Sequence, residues 1–298
     1  MTDGTDTGTE DGDAPDSATP DSAAGDDAAR REGVRDRYGS IAESAETESG
    51  DSGSSCCGGT SDCCNGADAD EMLADEIEAR GYDPADVDRV DTEVGSLGCG
   101  NPTAIADLDP GETVLDLGSG GGFDCFLAAD EVGPEGSVIG VDMTPEMLER
   151  ARSAAERNDA SNVEFRLGEM EHLPVADGTV DVVISNCAIN LSTDKRGVFR
   201  EVDRVLKPGG RLAVSDVVET GPVPDDVDLD PDAFAGCIAG AVPVNALRRM
   251  LADAGFDDVQ VTIEEGSEAF IGDWAEAYDP SEFLASARLK ARKPDSEG

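Results

Sequence analysis

The sequence predicts an α/β fold built on a mostly parallel sheet with helices on both faces. Short β-branched apolar runs recur from residue 113 onward, helical patterns alternate with them, and the first run passes into a helix through the glycine-rich turn Gly118-Ser119-Gly120-Gly121-Gly122. Continuous apolar strands of this kind need cover on both sides, which the intervening helices supply. In chain order the expected strands are 113–117, 137–142, 163–167, 180–185, 211–216, 259–263 and 285–291. The expected helices are 122–131, 144–157, 194–206 and 244–254. Thr144 reads as an N-cap with Pro145 at the first helical position, and Val198, Val202, Val205 and Leu206 put one apolar stripe on the third helix. There is no internal repeat.

Before this region the chain changes character. Residues 1–66 are Asp, Glu, Ser, Thr, Gly and Ala with few large apolar groups, too little to offset ordering entropy, and read as mostly disordered. Two islands interrupt them: 34–43 (VRDRYGSIAE), suited to a short docking element, and the paired thiols Cys56-Cys57 and Cys63-Cys64. A helix is expected over 68–80, closed by Gly81. The chain thus divides into an acidic tail, 1–69, and one domain, 70–298.

Composition excludes several functions. With 67 acidic and 22 basic residues among 298, the formal charge of −45 opposes binding to nucleic acid or to anionic membranes. The acids run along the whole chain and only four residues are lysine, a pattern of salt adaptation. His172 is the sole imidazole, so no His-based triad and no two- or three-histidine metal site can form within one chain. The start lacks a basic-then-apolar leader, and the longest uncharged run, 233–247, contains Pro243. A cytoplasmic protein is expected, whose eight cysteines are reduced and serve as ligands, nucleophiles or core.

The glycine turn gains meaning from Asp142, which ends the next strand 20 residues after Gly122, where a carboxylate can accept from ribose hydroxyls. The glycines follow GxGxG, and Phe123 stands where a dinucleotide fingerprint needs its third glycine. The segment Leu115-Asp116-Leu117-Gly118-Ser119-Gly120 resembles motif I of class I S-adenosylmethionine (SAM) methyltransferases, and Leu206-Lys207-Pro208-Gly209-Gly210 resembles their late sheet turn. The resemblance implies a Rossmann-like, seven-stranded sheet with its last strand antiparallel, and SAM as cofactor. Gly118 and Gly120 would approach its methionine part, Asp142 its ribose, Met143 its adenine, and Met170 with Glu171 the adenine edge; Asp116, Gly122 and Asn186 complete the implied set. Read without the resemblance, Glu169 and Glu171 are solvated loop acids and Met143 is core.

Cys99 in GCGNP, Cys187 in SNCAINL and Cys237 in GCIAGA are spaced too widely for a zinc knuckle, and by position alone each is core more often than ligand. Together with DLGSGGGFDCFLA, GVDMTPEML and LKPGGRLAVSDV, these strings are similar to arsenite methyltransferases over 98–241. The resemblance makes Cys99, Cys187 and Cys237 the ligands of trivalent arsenic, with arsenite or other trivalent arsenicals as substrate and thioredoxin or a small thiol as co-reductant. Cys125, on the helix after the glycine turn, reads as a core or redox residue rather than a ligand; Cys56, Cys57, Cys63 and Cys64 serve arsenite capture or disulfide relay, or are incidental thiols of a flexible segment; and His172 is most simply a loop residue near the adenine. Leu97 stands where relatives carry an aromatic, and little chain follows the last strand. The other readings are a methyltransferase of a small organic acceptor, with the cysteines in the core, and a thiol-based metalloid trap.

Overall fold

A computed structural model describes residues 20–48, 78, 80–83, 85, 89–92, 98–224, 238, 240–274 and 278–295. Strands β1 (Thr113–Leu117), β2 (Ser137–Asp142), β3 (Val163–Leu167), β4 (Val180–Asn186) and β5 (Leu206–Glu219) form the parallel part of the sheet. Next come β6 (Val242–Pro243), β7 (Asp257–Ile263) and β8 (Leu284–Arg292), and the spatial order is β3-β2-β1-β4-β5-β8-β7 with β6 pairing the end of β5. β8 runs antiparallel between β5 and β7, as the resemblance implied. The sheet is the expected seven-stranded one with one two-residue strand added. Chain order reverses between β1 and β4, the place where open α/β sheets leave a crevice at the carboxyl ends of their strands.

Alternate residues of β1 explain the layers. Val114 faces one side with Phe126, Ala129 and Leu148, whereas Leu115 faces the other with Val198, Val202 and Leu251, and both are fully buried. The first side is covered by α2 (Thr103–Ala106), α3 (Phe123–Val132) and α4 (Pro145–Arg157), the second by α5 (Lys195–Val205) and α6 (Val244–Ala254). Asp194 caps α5, its carboxylate accepting from Gly197 N at 2.8 Å. Thr144 stands at the head of α4 but makes no cap bond there. β5 is longer than expected, because the KPGG stretch does not separate it from α5: Val180 pairs with Leu206 and Val182 with Arg211, so 207–210 bulge out of a continuing ladder.

The N-terminal region departs from the expectation of disorder over 20–48, where the chain forms the helix α1 (Pro20–Glu48) that contains the docking element. Its seated face is Val34, Tyr38, Ile41 and Ala42, at helical spacing; Val34 and Ala42 are buried against Met143, Leu191 and Met147. A short face of this kind suffices because the domain supplies the apolar partner. A last short helix, α7 (Glu268–Ile271), precedes β8. The 68–80 helix lies largely outside the described residues, as do Leu97 and the Cys56–Cys64 motif. Among the described residues no helix is long and apolar enough to cross a membrane.

Candidate cofactor and thiol site

The crevice beyond β1, β2 and β4 is an open cleft whose outer wall is α1, through Arg31, Val34 and Tyr38. Asp116, Gly118, Gly120, Asp142, Met143, Met170, Glu171 and Asn186 all line it. Gly122 does not. It heads α3 at φ 90°, and a Cβ there would lie 2.7 Å from the Phe165 ring, so its role is to let the turn close against the sheet. Gly118 donates its N–H to Val141 O at 2.8 Å, and a side chain on it would collide with the Ala188 Cβ at 2.4 Å.

Asp142 holds the turn from the second strand: Oδ2 accepts from Gly120 N at 2.9 Å and Oδ1 from Thr144 N at 2.8 Å. Burial pushes its carboxyl up, and the N–H groups of Thr144 and Gly120 together with the Thr144 hydroxyl pull it back. That hydroxyl thus serves Asp142 rather than the helix. Met143 touches α1 through Val34, and Glu171 accepts from the Ser192 hydroxyl. Glu169, outside the cleft lining, pairs with Arg31 at 3.4 Å and Arg35 at 3.9 Å, fastening α1 over the loop that follows β3. His172 lies in that loop, its N–H donating to Glu169 O.

One group escaped the sequence reading here. Asp124 lines the cleft, accepts from Tyr82 Oη at 2.6 Å and from Asn186 Nδ2 at 3.1 Å, and is pushed up to about 6 by burial. Asp116 is raised well above the usual range by burial and then by Asp124. Cys125 Sγ donates to Asp116 Oδ2 at 3.3 Å from a fully buried position, and burial with the neighbouring carboxylates pushes its thiol up, the reverse of what a reactive thiolate needs. Between its core and redox alternatives, this environment is that of the core.

The thiols meet at the end of β4. Asn186 ties the strand to the GCG loop, its Oδ1 accepting from Cys99 N at 3.0 Å and its Nδ2 donating to Gly100 O at 2.7 Å. The approach is so close that a Cβ on Gly98 would lie 2.0 Å from the Asn186 amide. Cys187, next in sequence, adopts φ 54°, uncommon for a residue with a side chain, and its N–H donates to Ser215 O at 2.8 Å. Ser286 Oγ donates to Cys99 O at 2.8 Å.

Cys99 and Cys187, 1% and 6% exposed, thereby place their sulfurs within 4.8 Å of each other and of an Asp216 carboxylate oxygen, in a cluster walled by Val217, Ile238, Phe270, Ile271 and Phe283. Asp216 was not singled out in the sequence; it accepts from Asn190 N at 3.1 Å, Val217 N at 2.8 Å and the Cys187 thiol, and burial pushes it up to about 6. Cys237 lies outside the described residues, as do Cys56, Cys57, Cys63 and Cys64, while Ile238 sits in the same buried cluster as Cys99 and Cys187.

The chain matches known proteins along this site. Residues 108–255 match a methyltransferase domain. Arsenite methyltransferase of Halobacterium salinarum is 56% identical over 265 residues, 89% of this chain and 66% of that protein. That of Homo sapiens is 38% identical over 152 residues, 48% of this chain and 40% of that protein, so the matches leave a third or more of these relatives' length uncovered. The crystal structure of an arsenic(III) S-adenosylmethionine methyltransferase from Chlamydomonas reinhardtii superposes with a TM-score of 0.56 at 34% identity, covering 76% of this chain and 74% of that one. With its sheet order, its cleft and its paired thiols, the chain belongs to the arsenic(III) S-adenosylmethionine methyltransferase family.

Proposed function

We propose that this protein moves the methyl group of S-adenosylmethionine to trivalent arsenic, arsenite being the first acceptor, in the service of arsenic detoxification. The observation that carries this is the placement of Cys99 and Cys187: two buried thiols side by side, one of which, Cys187, also lines the cofactor cleft. Cys237 supplies the third thiolate in this reading.

The cleft fits the cofactor on its own terms. A Cβ on Gly120 would project into open space, and Ser119 Oγ and Arg31 Nε are buried polar atoms of the lining without a hydrogen-bond partner. Asp142 and Glu171 offer acceptors for hydroxyl and amine groups, and Met143 and Tyr38 offer apolar walls. When bound, SAM supplies an electrophilic methyl group. The residues of the chain hold, orient and dry the reactants: thiolates replace the hydroxides of arsenous acid, apolar groups of the cluster exclude water, and the strand end that carries Cys187 aims the arsenic lone pair at the cleft. Methyl transfer would form the As–C bond from the lone pair as the donor's C–S bond broke, with S-adenosylhomocysteine as the leaving product. Arsenic would thereby be oxidised by two electrons, and thioredoxin or a small thiol in the reducing cytoplasm would return it to the trivalent state. No step needs a proton shuttle, in accord with the single histidine.

The 1–69 stretch then adds arsenite capture or disulfide relay through Cys56, Cys57, Cys63 and Cys64, with 70–298 as the methyltransferase domain, completed by the α1 wall. The test is S-adenosylhomocysteine formation by the purified protein in high salt with a thiol reductant. Turnover should require arsenite and vanish in Cys187→Ser. Absence of arsenite-dependent turnover, or methylation of an organic acceptor that survives Cys187→Ser, refutes the proposal. Replacing the four tail cysteines by serine should leave turnover and weaken capture at low arsenite.

A further inference from the structure

Among the described residues, the donor set beside the cleft is two sulfurs and an oxygen. Cys99 Sγ, Cys187 Sγ and an Asp216 oxygen lie mutually within 4.8 Å, and all three residues are buried. In a tetrahedral zinc site with sulfur at about 2.3 Å and oxygen at about 2.1 Å, such donors stand roughly 3.6–3.8 Å apart, so rotamer-scale movement closes the gap. Asp216 is anchored for the purpose: Asn190 N and Val217 N each donate to one of its oxygens, and a further lone pair accepts the Cys187 thiol hydrogen. Once that thiol ionises, the lone pair faces the site.

We propose that Cys99, Cys187 and Asp216 form a binding site for a borderline-soft divalent cation, zinc in type, whose fourth position opens to the cleft that Cys187 lines. Thiolates select such cations over magnesium or calcium, and the carboxylate replaces a sulfur that the arsenic site would need. Binding releases two thiol protons to solvent and involves no electron transfer. Charge favours it: Asp124 and Asp142 line the same cleft and the whole chain carries −45, which outweighs Lys195, a cation that donates to Asn190 O and Ser192 O and acts on Asp216. Arsenous acid is uncharged and gains nothing from this field. The cation therefore competes for Cys99 and Cys187 with any arsenical that uses them, but the site stands whether or not arsenite is the substrate.

Cadmium is the probe, added to the full-length chain with Cys56, Cys57, Cys63 and Cys64 changed to serine and followed by sulfur-to-cadmium charge-transfer absorption. One cation should bind per chain. Asp216→Asn should weaken it by at least ~10-fold and Cys187→Ser should abolish it, whereas Cys237→Ser should change it less than ~3-fold. Cadmium NMR on the protein with Asp216 intact reads the donor set directly and does not depend on any variant folding. A shift in the two-sulfur range supports the site. A three-sulfur shift, or cadmium affinity that follows Cys237 and ignores Asp216, overturns it even if arsenite turnover is found.

Discussion

Asn186 and its neighbours show how much one side chain can hold. Its amide joins Cys99 N, Gly100 O, Tyr82 and Asp124, and Gly98 leaves the space it occupies. Gly98→Ala should therefore displace the amide and lower unfolding free energy by about 1–3 kcal/mol, read by chemical denaturation, and it should lower arsenite affinity more than SAM affinity. The buried acids give a second expectation. Because the folded pKa of Asp124, about 6, lies above its ordinary 3.8, this residue favours the folded state fully below about pH 4 and withdraws that support as pH rises through about 6, on the order of 3 kcal/mol in all. Asp124→Asn should flatten the dependence of stability on pH across that window; a slope equal to the parent's refutes the assignment. Asp124 and Asp216 were invisible in the sequence for a physical reason. Among 67 acidic residues nothing local marks two that fold inward, and only the pairing of Asn186 with Ser215 brings Asp216 beside the thiols. The cysteines and the glycine turn were legible because their strings are rare and their chemistry is narrow.

The elements divide in the same way. β1 to β4 were readable almost to the residue, since β-branched runs bounded by turns have few other solutions. The β5 bulge was not, because Lys-Pro-Gly-Gly reads as a turn and only the partner strand reveals that the ladder resumes. α1 was legible only as an island: Val34, Tyr38, Ile41 and Ala42 do not predict a helix without the surface that receives them. Val34→Asp should unseat this wall and raise the dissociation constant for S-adenosylhomocysteine at least ~10-fold by calorimetry, as expected for a buried charge without a partner; unchanged affinity would show that α1 contributes nothing to the cleft. Asp194→Ala, which removes the α5 cap, should cost about 1 kcal/mol in thermal or denaturant unfolding and leave cofactor affinity unaltered.

At the scale of the whole molecule, 22 basic residues cannot neutralise 67 acidic ones, and salt relieves the resulting self-repulsion by screening it. The unfolding temperature should climb with potassium chloride, most steeply at the low end; a flat profile would contradict salt adaptation. The residues that face the chemistry are meanwhile set very close together. Asn186 binds the GCG loop, Cys187 presents its thiol, and Ala188 abuts Gly118 of the cofactor turn. Three successive residues thus set the spacing between the GCG loop and the glycine turn. On the proposed function, a spacing set by a few bonds of the backbone would suit an acceptor the size of one atom and leave little give for a larger one.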